Sequence, residues 1–181
     1  TMYTHPLGIS FAVPDGWRTQ DTEFGPQLVP PEAAANPQVL SEFYLVTGLP
    51  AQGITQATDP RVAQFLQAFV AQQVPFAAQV GEVEQLPTTA GQGVSLTWEG
   101  ANPNGMQVRV RALAAIVNDF AVILAGLGEK ARVEGREQTL RAVFGSFAAG
   151  QPQHDQAVVG IWHFLTTNYI ENNSPFVTAQ E

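Results

Sequence analysis

The chain has 181 residues, 45% of them hydrophobic, and its 16 acidic and 8 basic side chains give a net charge of -8. The length suits one domain with its own core, whereas the acidic balance, with no basic stripe, excludes the phosphate contacts on which nucleic-acid binding depends. The absence of cysteine excludes disulfides, thiolate catalysis and cysteine-ligated zinc, and no apolar run approaches the roughly 18 residues of a membrane helix, so we expect no membrane insertion.

The N-terminal segment predicts a β-hairpin. Two alternating runs, residues 2–5 and 9–13, flank a Pro-Leu-Gly turn, and a Pro-Asp-Gly turn then leads to Trp17. Proline fixes φ and glycine tolerates a positive φ, which suits both residues to turns. We expect polar, turn-rich chain up to Glu23 and a strand over residues 24–29.

A central strand is predicted over residues 39–47. Phe43 and Leu45 fall on one face of this strand, and Tyr44 and Val46 fall on the other. Since both faces are apolar, we expect the strand to be covered on both sides.

The clearest helix is predicted to begin at Asp59-Pro60 and to end at Pro75. Thr58 or Asp59 suits the N-cap, and proline suits the first helical position. Apolar side chains recur along one helical stripe, formed by Val62, Phe65, Leu66, Phe69 and Val70.

The second half of the chain predicts an antiparallel meander and a closing helix. We expect a hairpin turn at residues 102–105, another turn at Gly91-Gln92-Gly93, and one buried and one wet face on the strand over residues 106–111. The helix is predicted over about residues 129–146, where Gly135 weakens it by roughly 1 kcal/mol relative to alanine. Further strands are expected over residues 82–86, 94–99 and, on both sides of Asn118-Asp119, 112–127.

This grouping of strands predicts an α+β fold, with a single twisted antiparallel sheet flanked by helices. Residues 1–149 are predicted to form this domain. Residues 150–181 are predicted to form a linker and a strand-like tail, which is a truncated second domain, a strand added to its own or a partner's sheet, or a disordered segment. An unpaired apolar strand promotes association, so a homodimer through this tail is an alternative.

The opening Tyr-Thr-His-Pro, followed by Gly-Ile-Ser-Phe-Ala-Val-Pro-Asp-Gly-Trp, resembles the start of PsbP-like and DcrB-like domains. The same superfamily includes a Ran-binding nuclear-import factor. The resemblance covers about residues 2–149 and implies an α-β-α sandwich that serves as a bacterial binding or interaction module without catalysis. It carries over no functional residue, because the matched Pro14, Gly16 and Trp17 shape the fold. Residues 158–164 resemble the first strand of a calycin-type domain.

Histidines and serines show no arrangement typical of a metal site or a nucleophile. None of His5, His154 and His163 has a ligand partner at helical or strand spacing. A catalytic serine needs a strained turn or a partnered base, and neither is predicted around Ser10, Ser41, Ser95 or Ser146. We therefore predict no metal, no cofactor and no catalytic residue.

Two other groups of residues remain candidates for a site. Glu82 and Glu84 share one face of a predicted strand, a spacing that a carboxylate site can use, although solvated charges at a sheet edge are commoner. Four aromatic residues are candidates for a pocket between helix and sheet, with core packing as the commoner role; they are Trp17, Tyr44, Phe76 and Trp98.

We predict a non-enzymatic module that binds a protein partner or a small apolar ligand. The alternative is an enzyme or small-molecule carrier whose site needs a C-terminal domain absent from this chain, with Glu82, Glu84 and His163 as first suspects. The N-terminus shows no signal peptide pattern. Because the first predicted strand begins immediately, we expect a cytoplasmic location, with an exported protein whose leader has been removed as the alternative.

Overall fold

The structure, a computed structural model, describes residues 1–5, 8–32 and 42–150. The predicted tail strand, Ser41, His154 and His163 lie outside these residues. Of the helices in the described ranges, none is both long and apolar enough to span a membrane. The elements, in chain order, are β1 (Met2–His5), β2 (Ile9–Ala12), β3 (Arg18–Thr22), β4 (Gly25–Val29), β5 (Glu42–Pro50), α1 (Pro60–Gln73), β6 (Ala78–Gln79), β7 (Glu84–Thr88), β8 (Gly91–Ala101), β9 (Gln107–Val117), β10 (Phe120–Glu129), α2 (Lys130–Gly135), α3 (Glu137–Gly145) and β11 (Ala148–Ala149).

An eight-stranded antiparallel sheet forms the centre of the domain and confirms the predicted α+β class. Its strands follow the order β3-β4-β5-β10-β9-β8-β6, and β7 pairs with β8 as well. The β9–β10 hairpin turns at Asn118 and Asp119, whose φ angles of 49° and 66° are left-handed, as a two-residue hairpin turn requires. The predicted break in the apolar run is therefore this turn.

Helix α1 covers one face of the sheet, as its apolar stripe predicts. The Asp59 Oδ1 accepts a hydrogen bond from the Arg61 backbone N–H at 3.0 Å, and Pro60 occupies the first turn. The buried residues of α1 are Val62, Phe65, Leu66 and Val70. They pack on β8 and β9 through Val94, Leu96, Trp98, Val108, Val110 and Ala112.

The opposite face, called the reverse face below, is covered by a second sheet and by α3. The second sheet has the order β1-β2-β11, and its β1–β2 hairpin confirms the predicted N-terminal pairing. Phe11 of β2, Phe144 of α3 and Phe147 are each at most 1% exposed. The main sheet thus lies between α1 on one side and the small sheet with α3 on the other.

Three local predictions are wrong for identifiable reasons. Residues 18–22 form β3, an edge strand exposed on both faces, and such a strand carries no apolar alternation. Gly91 and Gly93 lie within β8 rather than in a turn; a Cβ at Gly93 would collide with the Phe144 ring and the Ala114 carbonyl. The closing helix is divided into α2 and α3 at Arg136, whose φ of -94° and ψ of 0° interrupt it after Gly135.

The predicted wet face of β9 is exposed at Gln107 but buried at Arg111. Arg111 is only 3% exposed. Its guanidinium donates to the Leu96 carbonyl at 3.1 Å, to the Thr97 Oγ1 at 2.8 Å and to the Glu137 Oε2 at 2.8 Å. Alternation along the sequence therefore predicts which residues of β9 are apolar and which are charged. It does not predict which of the charged residues are buried, because Glu137 of α3 supplies a partner for Arg111.

Candidate binding groove

Helix α1 covers only half of its face of the sheet. On β8 and β9 the side chains beneath α1 are at most 7% exposed. On the same face, Phe43 of β5 is 40% exposed and Leu127 of β10 is 37% exposed. The prediction that β5 is covered on both faces is therefore wrong at its first residues, where no described element lies over the strand.

A cavity of about 250 Å³ lies beside α1 on the uncovered side. Its floor is formed by alternate residues of β5 and β10, and one wall is formed by α1. The lining is apolar except for Thr47, Gln73 and backbone groups, and includes Leu45, Ile123, Ala125, Phe69 and Val70. Apolar lining with few polar groups is typical of a pocket for an apolar ligand.

The cavity opens into a broader depression of about 350 Å³ at the start of β5. The two spaces share Phe43, Gln73, Val74 and Leu127, so we call them together the apolar groove. The depression, called the mouth below, exposes four large apolar side chains by 37–41%: Phe43, Phe76, Met106 and Leu127.

Phe76 reaches the mouth because the turn after α1 lies directly against β8. The Ala77 N–H donates to the Val74 carbonyl at 3.0 Å. The turn approaches β8 at Gly100, where a Cβ would collide with the Phe76 carbonyl oxygen. Glycine at position 100 therefore sets the position of one wall of the mouth.

A buried ion pair on the reverse face holds the start of β5. The Arg136 guanidinium donates to both carboxylate oxygens of Glu42, at 2.8 and 3.1 Å, and the Tyr44 hydroxyl donates to the same carboxylate at 2.8 Å. Arg136 also lies 5.2 Å from the centre of the Trp17 ring, within cation–π range. Its hydrogen bond with Glu42 raises the pKa of Arg136, and burial raises the pKa of Tyr44. These contacts fix Glu42 and so orient the neighbouring Phe43 toward the groove.

A second charged cluster joins α2 and α3 to the sheet. Although burial favours its neutral form, Arg111 and Arg141 hold the pKa of the Glu137 carboxyl below its ordinary value. Arg141 also pairs with Glu84 at 2.9 Å and lowers the pKa of that carboxyl. The cluster neutralises its own charges and lies on the reverse face, away from the groove.

The structure does not assemble the suspected acidic pair into a site. β7 begins at Glu84, so Glu82 precedes the strand, and Glu84 is engaged by Arg141. In residues 1–5, 8–32 and 42–150, no group of three or more acidic or histidine side chains is placed to hold a metal ion. The described part of the chain therefore does not bring Glu82 and Glu84 together as a site.

The candidate histidine and serines that the structure describes have packing roles. His5 is 8% exposed, and burial lowers its pKa to about 4 despite the nearby charge of Asp21. Ser146 Oγ donates to the Val143 carbonyl at 2.6 Å and accepts the Ala12 N–H at 2.8 Å. Ser10 Oγ donates to the Ala148 carbonyl at 3.5 Å, and Ser95 is 1% exposed.

Of the four aromatic candidates, only Phe76 lines the groove. Trp98 is buried beneath α1, whereas Trp17 and Tyr44 pack together on the reverse face with ring centres 5.6 Å apart. Sequence reasoning missed Phe43, Met106 and Leu127. A usable signal was present, since the strand predicted over residues 39–47 is apolar on both faces and the sequence predicts only two helices to cover the sheet.

Comparison with known proteins identifies the fold. No protein-family model and no curated protein matches the sequence. The solution structure of PsbP (CyanoP) from Synechocystis sp. PCC 6803 superposes with a TM-score of 0.60 and 14% identity, covering 82% of this chain and 91% of that one. LpqN of Mycobacterium tuberculosis, described as involved in cell envelope biogenesis, superposes with a TM-score of 0.61 and 14% identity, covering 83% of this chain and 90% of that one. The Ran-binding protein Mog1p of Saccharomyces cerevisiae has a TM-score of 0.48 and 11% identity, covering 91% of this chain and 89% of that one.

At these identities the likeness describes architecture, and it agrees with the strand order and helical layers given above. The described part of the chain has a PsbP-like α+β fold.

Proposed function

We propose that this protein is a non-enzymatic binding module and that its apolar groove receives an apolar group of a ligand or partner. One observation carries the proposal: a preformed apolar cavity opens between four large apolar side chains that remain exposed. Isolated exposed apolar residues are ordinary on protein surfaces, whereas a contiguous group around a cavity marks a binding site.

The polar surroundings of the groove support binding rather than chemistry. Glu42, whose backbone lines the mouth, directs its carboxylate to Arg136 and Tyr44 on the reverse face. Glu99 is paired with Arg109 at 2.8 Å and with Lys130 at 3.0 Å. These carboxylates are thus committed to structural ion pairs, and general acid–base catalysis needs a group within reach of a bound substrate.

The test fills the groove and measures binding of an uncharged environment-sensitive dye, Nile red. Ala125 lines the cavity from β10, so Ala125→Phe occupies the space that the dye requires. We expect its affinity for the dye to fall at least about tenfold. The matched control is Ala71→Phe, which adds the same ring on the exposed side of α1 and should leave binding unchanged.

Thermal unfolding of both variants checks that each remains folded. Equal dye affinity in Ala125→Phe and Ala71→Phe would contradict the proposal, because the dye would then bind elsewhere. Loss of binding in both variants would contradict it as well, since the effect would not depend on the cavity.

A further inference from the structure

The apolar part of the α1 face that no described element covers, on β5 and β10, has the width of one helix. β5 and β10 are neighbours in the sheet, and adjacent strands lie about 4.8 Å apart, whereas a helix with its side chains is about 10 Å wide. α1 already covers β8 and β9, and the same core includes Leu49 of β5 and Ile123 of β10, so only the other end of β5 and β10 stays open. A second helix beside α1 would therefore complete the layer over Phe43, Leu45 and Leu127.

The mouth favours a protein segment over a small molecule. A ligand that only filled the 250 Å³ cavity would leave Phe76 and Met106 uncovered, because both residues line the mouth and not the cavity. Phenylalanine and methionine are enriched in the buried centre of protein interfaces, and methionine adapts readily to a partner's surface. An amphipathic helix in a groove is a recurrent solution for such a surface.

Beyond Met106 the surface becomes polar and carries side chains of both charges. A depression of about 410 Å³ shares Met106 with the mouth and is also lined by Gln107, Glu129, Lys130 and Glu134. The Lys130 ammonium is held by Glu99 at 3.0 Å. The Glu129 and Glu134 side chains are each 46% exposed, and their own ion pairs are long, at 3.8–4.0 Å. This end of the groove therefore presents two carboxylates that can accept further hydrogen bonds.

We propose that a helix of a partner protein docks beside α1 and that its basic end lies over Met106. Its apolar side contacts β5 and β10, and its lysine or arginine side chains meet Glu129 and Glu134. The inference rests on the proposed function, because it assigns an occupant to the same groove. Charge complementarity selects a basic rather than an acidic helix end, and it acts through affinity and association rate.

The experiment uses the full chain and three synthetic helical peptides of about 18 residues, long enough to form helix when docked. The peptides share one leucine stripe and differ only in their last turn, which carries lysine, glutamine or glutamate. Fluorescence anisotropy should rank them lysine, glutamine, glutamate, with at least about tenfold between the first and last. The difference in affinity between the lysine and glutamate peptides should decrease at about 0.5 M salt, since salt screens exposed charges.

Two variants assign the effect to the named residues. The double substitution Glu129→Gln with Glu134→Gln should abolish the preference for lysine and keep binding of the glutamine peptide. Ala125→Phe should weaken the binding of all three peptides. Equal affinity of the three peptides for the unaltered chain would overturn the inference.

Other occupants give distinct results. If Nile red binds in an Ala125-dependent manner but no peptide does, the helix inference fails and the proposed function stands; if neither binds, both fail. If Trp162→Asp in the full chain raises peptide affinity, the chain's own C-terminal segment is the occupant, and the inference is overturned. It is also overturned if the protein forms dimers that Leu127→Glu dissolves, because a second copy then covers the groove.

Discussion

The two faces of the main sheet differ in how completely they are covered. On the reverse face, Phe11, Phe144 and Phe147 are at most 1% exposed and fill the space between the sheet and α3. On the α1 face, one helix covers β8 and β9, and Phe43 and Leu127 remain exposed. In the described part of the chain, the reverse face is therefore filled, whereas the part of the α1 face around Phe43 and Leu127 stays open.

Charge is divided in the same way. The buried ion pairs of Glu42 and of Arg111 are on the reverse face, whereas the groove is lined almost entirely by apolar side chains. Substitutions of buried residues on the reverse face should therefore reduce stability, and substitutions in the groove should reduce binding at nearly constant stability. Three measurements test this division.

The largest effect is expected from Phe144→Ala compared with Phe43→Ala. Phe144 is fully buried and contacts the ring of Phe147, with centres 5.3 Å apart. Truncating such a residue costs about 3–5 kcal/mol through lost burial and a new cavity. Phe43 is 40% exposed, so its truncation should change the free energy of unfolding by less than about 1 kcal/mol. Urea denaturation measures both, and similar losses would contradict the division.

A smaller effect is expected from Glu42→Gln compared with Glu84→Gln. Glu42 is buried and accepts three hydrogen bonds from Arg136 and Tyr44. Among the described residues, loss of its charge leaves Glu32 as the remaining ion-pair partner of Arg136. The substitution should destabilise the protein by about 2 kcal/mol. Glu84 makes an exposed pair with Arg141, worth less than about 1 kcal/mol. Chemical denaturation compares the two variants, and an equal cost would show that burial of Glu42 does not matter.

The smallest effect is expected from a change of one pH unit acting on His5 of the reverse face. Burial lowers its pKa from 6.5 to about 4, against the opposing charge of Asp21. The unfolded chain thus takes up a proton near pH 6.5 and the folded chain only near pH 4. Stability is complete above about pH 6.5 and is lost as the pH falls toward 4, by at most about 1.4 kcal/mol per pH unit.

The control for this measurement is His5→Gln, which does not titrate. Urea unfolding between about pH 7 and pH 5 should show a steeper loss of stability in the unaltered protein than in the variant. Parallel pH profiles would mean that His5 is accessible to protons in the folded state.

Sequence reasoning succeeded where local chemistry decides the structure. Asp59 and Pro60 begin α1 because a cap and a proline act on their own neighbours. Likewise, Asn118 and Asp119 adopt the left-handed conformation of a tight turn. These features depend on few residues, so the sequence alone was sufficient to place them.

It failed where a distant element decides the environment. Arg111 looked exposed by alternation, yet Glu137 of α3 supplies a buried partner. Phe43 looked buried because it is apolar, yet α1 lies over other strands. The groove could not be predicted because it depends on which strands α1 covers, and that depends on the strand order of the sheet.

One backbone contact determines where anything attached after residue 150 leaves the domain. The Gly8 carbonyl accepts hydrogen bonds from the Gly150 N–H and from the Asn118 side chain, both at 2.7 Å. Gly150 therefore lies at the β9–β10 turn, and Leu127 lies seven residues farther along β10 from Phe120, roughly 23 Å at strand spacing. A surface tether or reporter attached at Gly150 itself would therefore start at the end of the sheet opposite to the mouth.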